Sequence, residues 1–334
     1  MLFSTPNSKH QHSVSKPSNI GLQHSAMKPL SATQYSSINC STAIPQQTIP
    51  LILNYDIERT DILGTLGTVI IASDSTTHSK VALQTINNFH PQNLHNNVNL
   101  PSQIYLLKKL SHPNILACHH YSHTGTNWLL VLEYNPRCVT LSSLLAQSFG
   151  GLSEHDTWCI IIQLLSAVTH CINRGVDHRD ITTDNILIDP VTMQIKLYNF
   201  SKAIQLPTTV PYTHPGYTSD VTSATSYVIS HSTNDVIINQ PTISSSTPPE
   251  YKTRGFYQPL QGIVWSIGLI LFQLLSGSKP PTGDINWSLM ANARSPVSEE
   301  CLAVVLGCLE RQPERRMKFS QLGSNDWVIN EIFF

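Results

Sequence analysis

Apolar and polar positions change their rhythm along the chain. Residues 1 to about 50 are rich in Ser, Gln, His and Pro with few aromatics, which predicts a disordered tail. From residue 56 to 86 the runs LGTVIIAS and KVALQTI are β-branched and separated by the polar turn SDSTTH, which predicts two antiparallel strands. IYLLKKL has helical spacing and is stopped by HPN, and ILACHHY and NWLLVLEY follow as strands. After Glu133 the period lengthens: TLSSLLAQ reads as a short helix and SEHDTWCIIIQLLSAVTHCINRG as a long one, with Ser153 as N-cap and Gly175 as stop. NILIDP and QIKLYNF read as a hairpin, and helices resume at IVWSIGLILFQLL and SEECLAVVLGCLE. A strand-rich front and a helical rear predict an α+β fold of two lobes. The Ser/Thr-crowded interval 201–247 is long enough to be either a functional or a disordered insert.

Composition narrows the function classes. The chain has 334 residues and 40% hydrophobic content, enough for a sizeable core. Its net charge of -1 offers no field for nucleic acid or an anionic membrane. The seven cysteines form no CxxC pair and are odd in number, which argues against a disulfide framework or zinc knuckle and for a reducing, intracellular setting, with the cytoplasm the expected one. The start MLFSTPNSKHQHSV has no apolar stretch of the kind a secretory signal needs. The run from Ile263 to Leu275 is too short to span a bilayer and reads as a buried core helix. HHYSH, His119 to His123, falls on a strand and turn without acidic or Cys partners, so no metal site is expected there.

The chemistry concentrates in HRDITTDNIL, His178 to Leu187. Its Asp180 can orient a hydroxyl as a base, and its Asn185 can offer an amide oxygen to a metal. This stretch, together with NFS (Asn199 to Ser201), PPE (Pro248 to Glu250), WSIGLILFQLLSG, QPERRM, LKKLSHPNIL and LVLEY, resembles in order and separation a eukaryotic protein kinase domain. The resemblance covers residues 55–331, with a β-rich N-lobe at 55–134 and a helical C-lobe at 135–331. It implies an adenine slot walled by Val69, Ala82 and Leu187, a gatekeeper at Leu132, a hinge beginning at Glu133, and a Glu250–Arg316 ion pair.

The same resemblance marks positions where this chain departs from the family. Asn199 replaces the metal-binding Asp, Gln84 the strand lysine, Gln103 its glutamate partner, and Thr182 the lysine after HRD. Ile62 stands in place of the first loop glycine, while Gly64 and Gly67 remain; Ile263 replaces an Asp that anchors the catalytic loop. Each lost phosphate or metal contact costs about 2–4 kcal/mol at the transition state. Two losses amount to about 10³–10⁶ in rate. The expectation is a degenerate, pseudokinase-like member that works through other proteins, an active kinase or a signalling complex among them. ATP is its implied ligand, and Mg²⁺ binding is expected to be weak or absent. The alternative is a weak serine/threonine kinase. A Gln84–Gln103 hydrogen bond is expected to replace the lost ion pair. Asp180 reads either as a residual base or as a structural carboxylate, and Gly64 and Gly67 either as a phosphate cradle or as a turn. Arg179 is the residue that, by resemblance, pairs with a phosphate on the insert.

Overall fold

A computed structural model describes residues 54–86, 100–123, 127–148, 150–206, 246–255, 257–279 and 296–330. The expected tail and most of the Ser/Thr-rich insert lie outside the described residues. The front of the domain is one antiparallel sheet of β1 (Tyr55–Ile62), β2 (Thr68–Asp74), β3 (Lys80–Ile86), β4 (Cys118–His123) and β5 (Trp128–Glu133), in spatial order β1-β2-β3-β5-β4. A short helix, α1 (Ser102–Leu107), lies between β3 and β4 in sequence. Alternation places side chains on opposite faces. Val69, Ile71, Ala82, Leu130 and Leu132 face the main core, while Ala72, Val81, Leu83, Leu129 and Val131 form a second cluster on the other face. The register Ala82↔Leu132 brings the two adenine-slot candidates of β3 and β5 opposite each other.

The rear begins with β6 (Val139–Thr140), α2 (Leu141–Ala146) and α3 (Glu154–Asn173). Ser153 caps α3 as expected: its Oγ accepts the Asp156 N–H at 3.1 Å and donates to Asp156 Oδ2 at 2.7 Å. Gly175, at φ 66°, ends it. There follow β7 (Val176–Asp177), β8 (Ile186–Ile188), β9 (Ile195–Leu197) and β10 (Ile204–Gln205), the expected β8–β9 hairpin being antiparallel. β10 pairs with β7, so residues 201–206 are regular backbone rather than the start of an irregular insert. The last elements are α4 (Pro249–Arg254), α5 (Pro259–Ser276), α6 (Glu299–Cys308), α7 (Phe319–Gly323) and α8 (Asp326–Ile329). α5 is long and apolar enough to pass for a membrane span, and 83% of it is buried inside the fold. Glu154 at the head of α3 accepts from Ser298 N, Ser298 Oγ and Trp327 Nε1, tying α3, α6 and α8 together.

Glu250 and Arg316 meet as the resemblance implies. Two parallel N–H···O bonds of 2.8 Å join them, both side chains are buried, and the guanidinium lies 5.0 Å from the Trp265 ring.

Candidate active site

The catalytic loop is held by side chains of its own sequence. Arg179 sits at φ 62°, a left-handed conformation that non-glycine residues adopt at a cost. Its N–H donates to Asp177 Oδ1 at 3.1 Å. His178 Nδ1 accepts the Asp180 N–H at 3.3 Å, which leaves Nε2 protonated to donate to the Tyr198 carbonyl at 2.8 Å. Burial holds this imidazole neutral, with its pKa brought down to about 4. Asn185 Nδ2 donates to the Asp180 carbonyl at 2.8 Å and to Asp180 Oδ2 at 2.9 Å. Asn185 therefore ties the loop to itself. Lys202 Nζ lies 2.9 Å from the same Oδ2, so Asp180 already carries a cation.

The positions that resemble metal ligands are cross-linked to each other. Asn199 is left-handed (φ 63°, ψ 66°), a conformation Asn tolerates well. Its Nδ2 donates to Thr65 Oγ1 at 2.9 Å and to Asn185 Oδ1 at 3.0 Å. The Thr65 hydroxyl donates to that same Asn185 oxygen. Thr65 N–H donates to the Tyr198 hydroxyl at 3.1 Å, which in turn donates to the Asp184 carbonyl. The glycine turn thus descends onto the catalytic loop as a 3₁₀ turn, Gly64–Leu66. Gly64 is required there: at φ +47° an added Cβ would lie 2.1 Å from the Tyr198 hydroxyl and 2.6 Å from Thr140 Cγ2. In this geometry Gly64 is a close-approach glycine. Gly67, at φ 74°, has open space around its Cα and closes the turn.

Mg²⁺ takes hard, preferably anionic oxygens in near-octahedral array. Here Asn185 Oδ1 receives two donors, Asn199 offers only a neutral amide where a carboxylate would be needed, and the Asp180 carboxylate is paired with Lys202. These residues do not fit the ion. The adenine positions Val69, Ala82, Leu132 and Leu187 are each 3% exposed or less and belong to one apolar core running through both lobes. Glu133, at the hinge, is held by Lys196 Nζ at 2.7 Å.

Gln84 and Gln103 do not form the expected hydrogen bond. Gln84 Nε2 reaches the Leu66 carbonyl at 3.4 Å instead, and its buried Oε1 has no partner. α1 is only six residues long and begins at Ser102, so Gln103 lies in its first turn rather than on the face of a long helix. Of the lysines that could replace the missing one, Lys80 pairs with Glu58 and Lys108 with the Tyr121 hydroxyl; only Lys202 reaches the site. Thr182 precedes the 3₁₀ turn Thr183–Asn185 and accepts the Asn185 N–H at 3.0 Å. Ile62 is 75% exposed at the end of β1, away from these contacts.

Ile263 is buried on α5 and lines a cavity of about 20 Å³ with Asp177, Arg179, Tyr257 and Ser266. Asp177 is fully buried, and desolvation pushes its pKa from 3.8 up to about 6. A carboxyl whose folded pKa is raised stabilises most below its unfolded pKa and loses that contribution as pH rises through the folded one. At 1.36 kcal/mol per pH unit, the rise from 3.8 to about 6 corresponds to about 3 kcal/mol lost between pH 4 and 6. Asp177→Asn keeps an acceptor oxygen without the charge. It is expected to equal wild type near pH 4 and to exceed it by up to about 3 kcal/mol above pH 6. Urea unfolding of both proteins across that range measures the difference.

Four of these residues carry no signal in the motif pattern. Thr65 sits at a variable position of the glycine turn, Tyr198 and Lys202 flank NFS, and Asp177 precedes HRD. Only the charge of Asp177 inside an apolar strand, beside the missing acid at Ile263, hints at its place.

Comparison with known proteins agrees with the motif order. The family profile described as Protein kinase domain matches residues 62–229. The serine/threonine-protein kinase SIK1 of Mus musculus is 26% identical over 306 residues, covering 89% of this chain and 35% of its own length. The probable serine/threonine-protein kinase MARK-A of Dictyostelium discoideum is 26% identical over 306 residues, covering 88% of this chain and 26% of its own length. An Aurora kinase of the same organism is 24% identical, covering 82% and 66%. The chain spans about a third of the length of the first of these relatives.

Proposed function

The chain belongs to the protein kinase domain family, and from that premise we propose that it is a pseudokinase, an intracellular regulatory or scaffolding protein that acts through contacts with other proteins. The observation that carries this reading is the Thr65–Asn185–Asn199 network. It fills the place where phosphate and metal would meet Asp180 with the chain's own hydroxyl and amides. Lys202 supports it by occupying Asp180 Oδ2 from within. Such a domain offers partners, an active kinase or a signalling assembly among them, a shape rather than a reaction.

A second reading, a slow serine/threonine protein kinase that opens its cleft to ATP, is favoured by the intact Asp180–Asn185 contact at 2.9 Å and by relatives named serine/threonine-protein kinases. Thermal melting with ATP, with and without Mg²⁺ and EDTA, separates the two. The pseudokinase is expected to show no Mg²⁺-dependent shift. A shift with ATP that survives EDTA would mark a metal-independent structural ligand. Phosphoryl transfer that requires ATP and Mg²⁺ and vanishes in Asp180→Ala would establish the kinase instead.

A further inference from the structure

We infer that Asp177 supplies the catalytic loop with the anchoring carboxylate that α5 lacks at Ile263, so that the loop is held from its own strand rather than from the helix beneath it. The inference concerns the loop's support and stands whether or not the site transfers phosphate.

Three observations meet at this point. The Arg179 N–H lies in a partly buried turn and needs an acceptor there. Asp177 Oδ1 is that acceptor, from a residue 2% exposed. Ile263, 4% exposed, lines the same small cavity as Asp177 and Arg179. Both positions thus face one space beside one amide, about large enough for a single water. One carboxylate fits that arrangement. Two would repel each other, and none would take from the partly buried Arg179 N–H the acceptor it has in Asp177.

The charged and titratable groups around Asp177 are consistent with a single anion. Desolvation raises its pKa against the opposing pull of the Arg179 N–H and guanidinium, and burial first and the Asp177 charge second push up the nearby Cys171 thiol and Tyr257 phenol. Asp177 is also the last residue of β7, opposite Ile204 of β10, and the cavity wall continues to Ser246, Thr247 and Pro248. The carboxylate therefore sits where the catalytic loop, the strand after NFS and the segment before α4 converge, and fixing Arg179 also positions Asp180 next to it.

The test compares the full chain with Asp177→Ala, Ile263→Asp and the double variant, reading amide exchange at Arg179 and thermal melting. Asp177→Ala is expected to speed Arg179 exchange by about tenfold, the loss of one ordinary hydrogen bond. Adding Ile263→Asp to it is expected to return most of that protection, whereas Ile263→Asp alone, with two carboxylates in one space, is expected to melt below the double variant. Unchanged Arg179 exchange in Asp177→Ala, or a double variant no better protected than the single, overturns the inference. Should Asp177→Ala fail to fold, Asp177→Asn carries the comparison: it retains the acceptor and is expected to protect Arg179 as wild type does. The double variant must then recover folding, and its failure to do so also overturns the inference.

Discussion

Asn199→Asp is expected to make the protein's melting temperature depend on Mg²⁺, whereas wild type is expected to melt alike with and without it. The backbone is not the reason, because Asp accepts the left-handed conformation about as well as Asn. The side chain is. Asn199 Nδ2 provides both hydrogen bonds that hold Thr65 Oγ1 and Asn185 Oδ1 together at 2.9 and 3.0 Å. A carboxylate has no donor, so three acceptors would converge with only the Thr65 hydroxyl to satisfy them. Losing one exposed and one partly buried bond, together about 1–4 kcal/mol, with about 2–4 °C per kcal/mol for a domain of this size, lowers the melting temperature in EDTA by roughly 2–16 °C. Millimolar Mg²⁺ is expected to recover at least half of the fall, because a divalent cation is what a carboxylate and an amide oxygen facing each other can share. Differential scanning fluorimetry with Mg²⁺ alone tests this without any need for catalysis. A variant that melts like wild type in EDTA would show that the network does not hold the turn down.

That result would also separate two meanings of a missing charge. A kinase-like site that has merely lost its aspartate should gain metal binding when the aspartate returns. A site rebuilt around Asn gains it only after disassembling its own contacts. Thr65 and Tyr198 make the second description the better one here. The Thr65 N–H and hydroxyl are both in use, and Gly64 has been drawn to where no other residue could pass the Tyr198 hydroxyl.

Much of the frame was legible from periodicity. Ser153, Gly175, the alternating β3 and β5 and the apolar α5 each signal their own structure through local rules that tertiary packing does not overrule. The Glu250–Arg316 pair was legible only through the resemblance, since nothing in the spacing of two residues so far apart predicts contact. The losses at Gln84, Asn199 and Ile263 were legible as missing charges. Their replacements were not. Lys202 reaches Asp180 across a 3₁₀ turn, Thr65 reaches Asn185 across both lobes, and Asp177 folds back onto the Arg179 N–H two residues on. The Gln84–Gln103 bond failed for a related reason: pairing two residues by their types presumes a long helix over β3, and α1 has six residues. Residue type shows what has left a site, while what moves in depends on backbone geometry that sequence spacing does not encode.

Arg316→Ala is expected to be strongly destabilising. It would leave Glu250 with a buried carboxylate and no cation, a loss of about 3–5 kcal/mol. At about 2–4 °C per kcal/mol the melting temperature falls by roughly 6–20 °C. The guanidinium also donates to the Glu310 and Gln261 carbonyls at 2.8 and 3.1 Å and lies against Trp265, so its removal unpins the turn before α7 from the start of α5. Arg254→Ala is the control. Arg254 and Glu314 are also 2.8 Å apart, yet their side chains are 47% and 63% exposed. Water and salt screen that pair, and its loss is expected to cost under about 1 kcal/mol. Glu250→Leu combined with Arg316→Met is expected to recover part of the loss of Arg316→Ala, because no unpaired charge then remains inside. Urea unfolding of the four proteins decides the point. If Arg254→Ala and Arg316→Ala cost the same, burial is not what gives the inner pair its weight.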